Sequence, residues 1–229
     1  MKTIIQTPTP NLRESIDFYQ KLSFNQISEQ KPVMVTDGKT IIEINDDRFA
    51  RAGVKLFRSD WQRVLAELEG FAQVTSWENG YVLSDPSNAW IYLATTDDQV
   101  DFEPSEQSYS VLGNNAGLSL ETTDMDRSTR IWEVVGFKKN MGSAEQGWIS
   151  LVNEDGLVIS LMKPHSCPHL FFNPSLTYFN GENNPAIIEK IRSLNISITE
   201  EITYFNKEGK VDNIIIRDPG GFGFFIFND

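Results

Sequence analysis

Residues 11–24 (NLRESIDFYQKLSF) and 124–137 (DMDRSTRIWEVVGF) carry one plan twice, at a constant offset of 113 residues from Phe24 to Phe137. Ser15 matches Ser128, Phe18-Tyr19 matches Ile131-Trp132, and Leu22-Ser23-Phe24 matches Val135-Gly136-Phe137. Each copy is followed by an Asp-Pro turn that opens a terminal apolar strand, at Asp85-Pro86 and Asp218-Pro219. These turns lie 133 residues apart, so the second copy holds about twenty extra residues. A plan repeated at half the chain length points to a duplicated domain.

Each copy is itself double. Residues 3–7 read as a strand, and Pro8 and Pro10 end it. Asn11 is the expected N-cap of a helix whose Leu12, Ser15, Ile16, Tyr19 and Leu22 fall on one face. Strands follow at 25–28, 33–36 and 40–44, with Asp37-Gly38 as a hairpin turn. The same order recurs: a strand at 54–57, an Asp60-capped helix at 61–68, and strands at 72–76, 80–83 and 90–94. The third unit has a strand at 117–121, a helix capped by Asp126 and strands at 137–139, 148–152 and 157–162. An insertion at 163–174 precedes the fourth. That unit has a strand at 176–179, a helix at 185–194 and strands at 196–199, 203–205, 211–217 and 222–227. The expectation is an α+β protein of four βαβββ units in two tandem domains, 1–95 and 111–229. The acidic, aperiodic segment 96–110 serves as linker.

With 229 residues, each domain can bury a core without a metal or disulfide staple. A net charge of −12 without a Lys/Arg run argues against a nucleic-acid partner. Cys167 has no internal disulfide partner, which suits a reducing compartment. The N-terminal apolar stretch is too short for a signal peptide, and no run approaches membrane-spanning length. A cytoplasmic protein with no membrane partner is expected.

Four such units in this order resemble the vicinal oxygen chelate superfamily, which includes glyoxalase I, extradiol dioxygenases and bleomycin-resistance proteins. The residues carrying the resemblance are Ser15-Ile16-Asp17-Phe18-Tyr19, Leu22-Ser23-Phe24, the equivalents from Ser128 to Phe137, and Asp218-Pro219-Gly220-Gly221. The resemblance implies sheets curled around a cleft that holds a metal or a ligand. It places metal-ligand positions on the first and last strands of each unit. In this chain the first-strand positions fall at Ile4, Gly53, Gly117 and Leu176 or Ser175. The last-strand positions fall at Glu43, Tyr92, Ser160 and Phe225. Only Glu43 suits a cation, and one carboxylate does not hold a metal. No metal and no cofactor is expected.

Three other features invite a chemical reading. His165, Cys167 and His169 alternate within the insertion, a pattern open to zinc or copper binding or to a nucleophile with its base. With no fourth ligand nearby, a proline-rich surface crossover is the simpler account. Asp218-Pro219-Gly220-Gly221 precedes a strand rather than a helix, so it reads as a turn and not a phosphate loop. Glu43, as a lone acid in an apolar cleft, would have a raised pKa and suit a general base; otherwise it is a strand residue with an ordinary partner.

The expected function is metal-independent binding or sequestration of a small apolar or aromatic ligand. Glu43, Tyr92 and Phe225 are the candidate ligand-binding residues, and a ligand at Glu43 would bring a cationic or hydrogen-bond-donating group. The alternatives are a glyoxalase- or dioxygenase-type enzyme with an atypical site, and a structural or partner-binding module with closed clefts.

Overall fold

The computed structural model describes residues 3–28, 30–96 and 100–228 and contains two eight-stranded mixed sheets. Unit one comprises β1 (Thr3–Pro8), α1 (Leu12–Lys21), β2 (Asn25–Ser28), β3 (Val33–Thr36) and β4 (Ile41–Asn45). Unit two comprises β5 (Gly53–Arg58), α2 (Gln62–Leu68), β6 (Thr75–Trp77), β7 (Gly80–Ser84) and β8 (Trp90–Thr95). Together they make one sheet of order β2-β3-β4-β1-β5-β8-β7-β6. Unit three comprises β9 (Asn115–Glu121), α3 (Met125–Val134), β10 (Lys138–Ser143), β11 (Trp148–Val152) and β12 (Val158–Met162). Unit four comprises β13 (Ser175–Phe179), α4 (Asn184–Ser193), β14 (Ile198–Ile202), β15 (Asn213–Arg217) and β16 (Gly223–Phe227). The second sheet runs β10-β11-β12-β9-β13-β16-β15-β14, the same order. In each sheet the first strands of the two units lie antiparallel, β1 on β5 and β9 on β13, which joins the halves.

Local chemistry accounts for most boundaries and for the departures from expectation. The Asn11 side chain accepts from Glu14 N–H and starts α1. α3 is capped by Asp124, which accepts from Arg127 N–H, and not by Asp126, which sits inside the first turn. The strand expected at 72–76 is shorter and later, because Ala72 N–H still bonds Leu68 C=O at the end of α2. Residues 203–205 form no strand. The Asn206 side chain accepts from the N–H groups of Glu208 and Lys210 and bends the chain into a loop there.

Alternation along the strands gives each sheet two unlike faces. Ile5, Ile42, Ile44, Val54 and Leu56 of the first sheet join Leu118, Ile159, Leu161, Leu176 and Phe224 of the second in one continuous core. The helices lie in this shared layer, where Tyr19 and Trp132 are fully buried. The opposite face of each sheet looks away from it.

Paired polar locks fasten the halves. Tyr19 of α1 donates to Asp218 Oδ2 (3.0 Å) in the turn before β16. Thr7 donates to the same oxygen (2.8 Å). Trp132, the counterpart of Tyr19, donates to Asp85 Oδ2 (3.0 Å) before β8. Asp37, in the first hairpin, accepts from Tyr178 (2.8 Å) and Asn115 (2.7 Å). Gly220 allows a close approach between halves, since a Cβ there would run into the Pro8 carbonyl. Burial pushes the Asp85 and Asp218 carboxyls above the ordinary carboxylate range.

The connecting segment is pinned along its second half. Ser105 N–H bonds Gly38 C=O (2.7 Å), Tyr109 N–H bonds Asp37 C=O (2.8 Å) and Val111 N–H bonds Leu22 C=O (2.8 Å). Residues 97–99 of the expected linker lie outside the described residues. Among the described residues no helix is long and apolar enough to cross a membrane.

Candidate functional site

In β4 (IIEIN), Ile42 and Ile44 enter the shared core, which turns Glu43 to the outer face of the first sheet. β5 (GVKLFR) does the same for Lys55, because Val54 and Leu56 are core residues. The register sets Gln6 beside Glu43, and Lys55 beside both Ile4 and Tyr92. Four adjacent central strands thus bring a carboxylate, an amine, an amide and a phenol onto one floor.

Glu43 is not the lone acid that the sequence suggested. The Lys55 ammonium donates to both of its oxygens, at 2.8 and 2.7 Å. The side chains keep only 10% and 4% of their surface, for Lys55 and Glu43 respectively. Asn45 Nδ2 adds a longer bond to Glu43 Oε1 (3.3 Å) and another to Gln6 Oε1 (3.0 Å). Gln6 Nε2 donates to the Arg51 carbonyl (2.9 Å). Tyr92 hydroxyl donates to the same carbonyl and accepts from Arg51 N–H, both at 3.2 Å. Its burial pushes the phenol above its ordinary pKa. The Tyr92 ring meets Trp77 edge-on, with centroids 5.4 Å apart, and Lys55 Nζ lies 5.8 Å from the Trp77 centroid.

Above this floor opens a cavity of ≈ 630 Å³, within the size range of ordinary small-molecule sites. Of the floor residues Glu43 and Lys55 line it, while Gln6 and Tyr92 do not; Pro32, Met34, Phe57 and Trp77 are apolar walls, and Thr95 and Thr96 add hydroxyls. Glu78 and Asn79 also line it and are exposed. Lys55 was missed because the resemblance pointed to Gly53, two residues earlier on the same face. Its signal was a single charge between Val54 and Leu56 in an apolar strand.

The second sheet presents a different outer face. Ser119 lies beside Ser160 and Ser175, and Thr177 lies beside Gly117 and Phe225. Leu176, offered as an alternative to Ser175, points into the core instead. Ser119 and Thr177 share a hydrogen bond of 2.7 Å. The insertion folds back over this face as a strap. Phe171 packs edge-on against Phe225 (5.0 Å), and His169 meets Phe225 and Phe227 (5.3 and 5.1 Å). Arg217 lies over Phe172. Phe225 is 1% exposed, so the structure places it beneath the strap, in the half of the chain opposite to Glu43 and Tyr92.

The alternation of His165, Cys167 and His169 does not build a centre. His169 Nδ1 is engaged by the Leu170 carbonyl (2.7 Å), and the Cys167 thiol leans on Met162 sulfur (3.9 Å). Burial pushes the Cys167 thiol up to about 11, unlike a reactive thiolate. No group of three or more His, Cys, Asp or Glu side chains converges among the described residues.

The donor chemistry does not fit a divalent metal either. In the first cleft an ammonium already holds both oxygens of Glu43, and the one other carboxylate among the described lining residues, Glu78, is exposed. On the second sheet the candidates are hydroxyls and a phenyl ring. Neither set matches the three or more His, Cys or carboxylate donors that such a site needs.

The chain has the vicinal oxygen chelate fold, with two tandem glyoxalase-like domains. Among solved structures it is similar to a variant of homoprotocatechuate 2,3-dioxygenase from Brevibacterium fuscum, with a TM-score of 0.58 and 15% identity, covering 100% of this chain and 71% of that one. It is similar too to the 2,3-dioxygenase LapB from Pseudomonas sp. KL28 (TM-score 0.54, 17% identity, 97% and 89% covered). A catechol 2,3-dioxygenase gives a TM-score of 0.54 at 12% identity, with 98% and 86% covered. No protein-family model matches the chain, and no curated protein matches it in sequence.

Proposed function

We propose that this protein is a metal-independent small-molecule binding or sequestering protein whose site is the cleft of the first sheet. The observation that carries the reading is the Lys55–Glu43 pair on the floor of an open cavity with apolar walls. A buried ion pair costs desolvation that well-packed apolar residues would avoid, so its presence there favours a polar contact to a ligand. Tyr92 closes one side of the floor through Arg51 and supports Trp77. In the second sheet the strap fills the corresponding face, and Phe225 serves packing beneath it.

A dioxygenase-type enzyme is the second reading, favoured by whole-length similarity to catechol dioxygenases. The donor sets described above weigh against it. Elemental analysis of the purified protein and a thermal-shift screen of small aromatic compounds separate the two. Stabilisation by aromatic compounds with less than a tenth of an equivalent of metal is the expected result. About one equivalent of tightly held iron or manganese, with ring-cleaving activity, would reverse the choice.

A further inference from the structure

We propose that the first cleft selects an uncharged aromatic ligand bearing a hydrogen-bond acceptor, of the aryl ketone or aryl amide class, held by the remaining N–H of Lys55. The inference rests on reading that cleft as a binding site and specifies its ligand.

An ammonium carries three donors. Lys55 directs two of them to Glu43; the Trp77 ring lies 5.8 Å away, and no further hydrogen-bond acceptor is found among the described residues. The side chain is nine-tenths buried, and it lines the cavity together with Glu43. A charged donor that faces a cavity with only a ring beside its two ionic bonds gains a hydrogen bond when a ligand brings an acceptor. The ligand therefore meets a donor first, which reverses the expectation raised by Glu43 alone.

Charge narrows the class further. A cationic ligand would be set against Lys55, while Glu43, the group that would attract it, is already neutralised. An anionic ligand would bring a second negative charge beside Glu43, past Glu78 and into a chain of net charge −12. A carbonyl oxygen avoids both penalties and still accepts the hydrogen bond. The walls supply the rest: Trp77, Phe57, Met34 and Pro32 offer an aromatic and thioether lining for a flat apolar body.

Four probes of one shape test the proposal: 2-acetonaphthone, naphthalene, 2-naphthoate and 2-naphthylmethylammonium. Their affinities are measured by calorimetry on the full chain and on the doubly substituted Glu43→Leu/Lys55→Met protein, which retains volume, leaves no charge unpaired and adds no donor to the cleft. 2-Acetonaphthone is expected to bind the natural chain about tenfold more tightly than naphthalene, as a charged donor allows, and more tightly than either ion. In the double variant its advantage over naphthalene disappears. If either ion binds best, or if the preference survives in the variant, the ligand class is wrong while the cleft remains a binding site. If none of the four binds at millimolar concentration, both the ligand class and the binding reading are overturned.

Discussion

At the scale of single residues, Lys55 decides what Glu43 is able to do. Removing one partner of a buried pair leaves the other charge uncompensated. Lys55→Ala is therefore expected to lower unfolding free energy by about 3–5 kcal/mol, read from urea denaturation. The Glu43→Leu/Lys55→Met protein should stay within about 1 kcal/mol of the natural chain, since replacing both partners by apolar residues removes the desolvation penalty with the attraction. A Lys55→Ala protein as stable as the double variant would contradict the pairing. Glu43 was legible in the sequence as a charge among isoleucines. Lys55 was not connected to it, because the β1-to-β5 register that brings the two strands together is set by long-range pairing.

Asp218 gives a second test at this scale. Burial raises its folded-state pKa above the unfolded value of about 3.9. Between those two values the folded state holds more protons than the unfolded state, so this group's contribution to stability falls as pH rises. Asp218→Asn removes the contribution. The stability of the natural chain relative to Asp218→Asn is expected to decline from pH 4 upward through the folded pKa, as measured by urea titrations at several pH values. A relative stability that increases with pH would contradict the assignment.

At the scale of elements, the strap distinguishes the two sheets. Leu170 N–H bonds Glu200 Oε2 (2.7 Å), and Asn173 makes a reciprocal pair of bonds with the Glu121 backbone. Between these anchors, Phe171 and Phe172 cover Phe225. Phe171 is only half-buried, so Phe171→Ala is expected to cost about 2 kcal/mol, less than the roughly 3–5 kcal/mol typical of truncating a core aromatic. It should also speed hydrogen exchange in β16; unchanged exchange there would mean that the strap does not protect the face. The insertion at 163–174 was visible as part of the surplus of about twenty residues in the second copy, and the repeated helices were visible through their caps and spacing. The docking of the strap was not, because Phe171 and Phe172 sit in a proline-flanked segment with no helical or strand pattern of apolar residues. The alternating His and Cys positions gave a local pattern whose outcome depended on this docking.

At the scale of the whole molecule, duplication has produced two like sheets with unlike outer faces on one shared core. Tyr19 with Asp218 and Trp132 with Asp85 bind each helix to the Asp-Pro turn of the other half. A nick within 96–110 is therefore expected to leave the halves associated, with a single thermal transition; two separable transitions would contradict the interlock. On the proposed reading only the first sheet binds a ligand, and it does so without metal. Calorimetric titration of chelator-dialysed protein with 2-acetonaphthone tests both points in one experiment. The predicted result is one site per chain, with the same affinity before and after chelation; two sites, or binding that chelation abolishes, would contradict it.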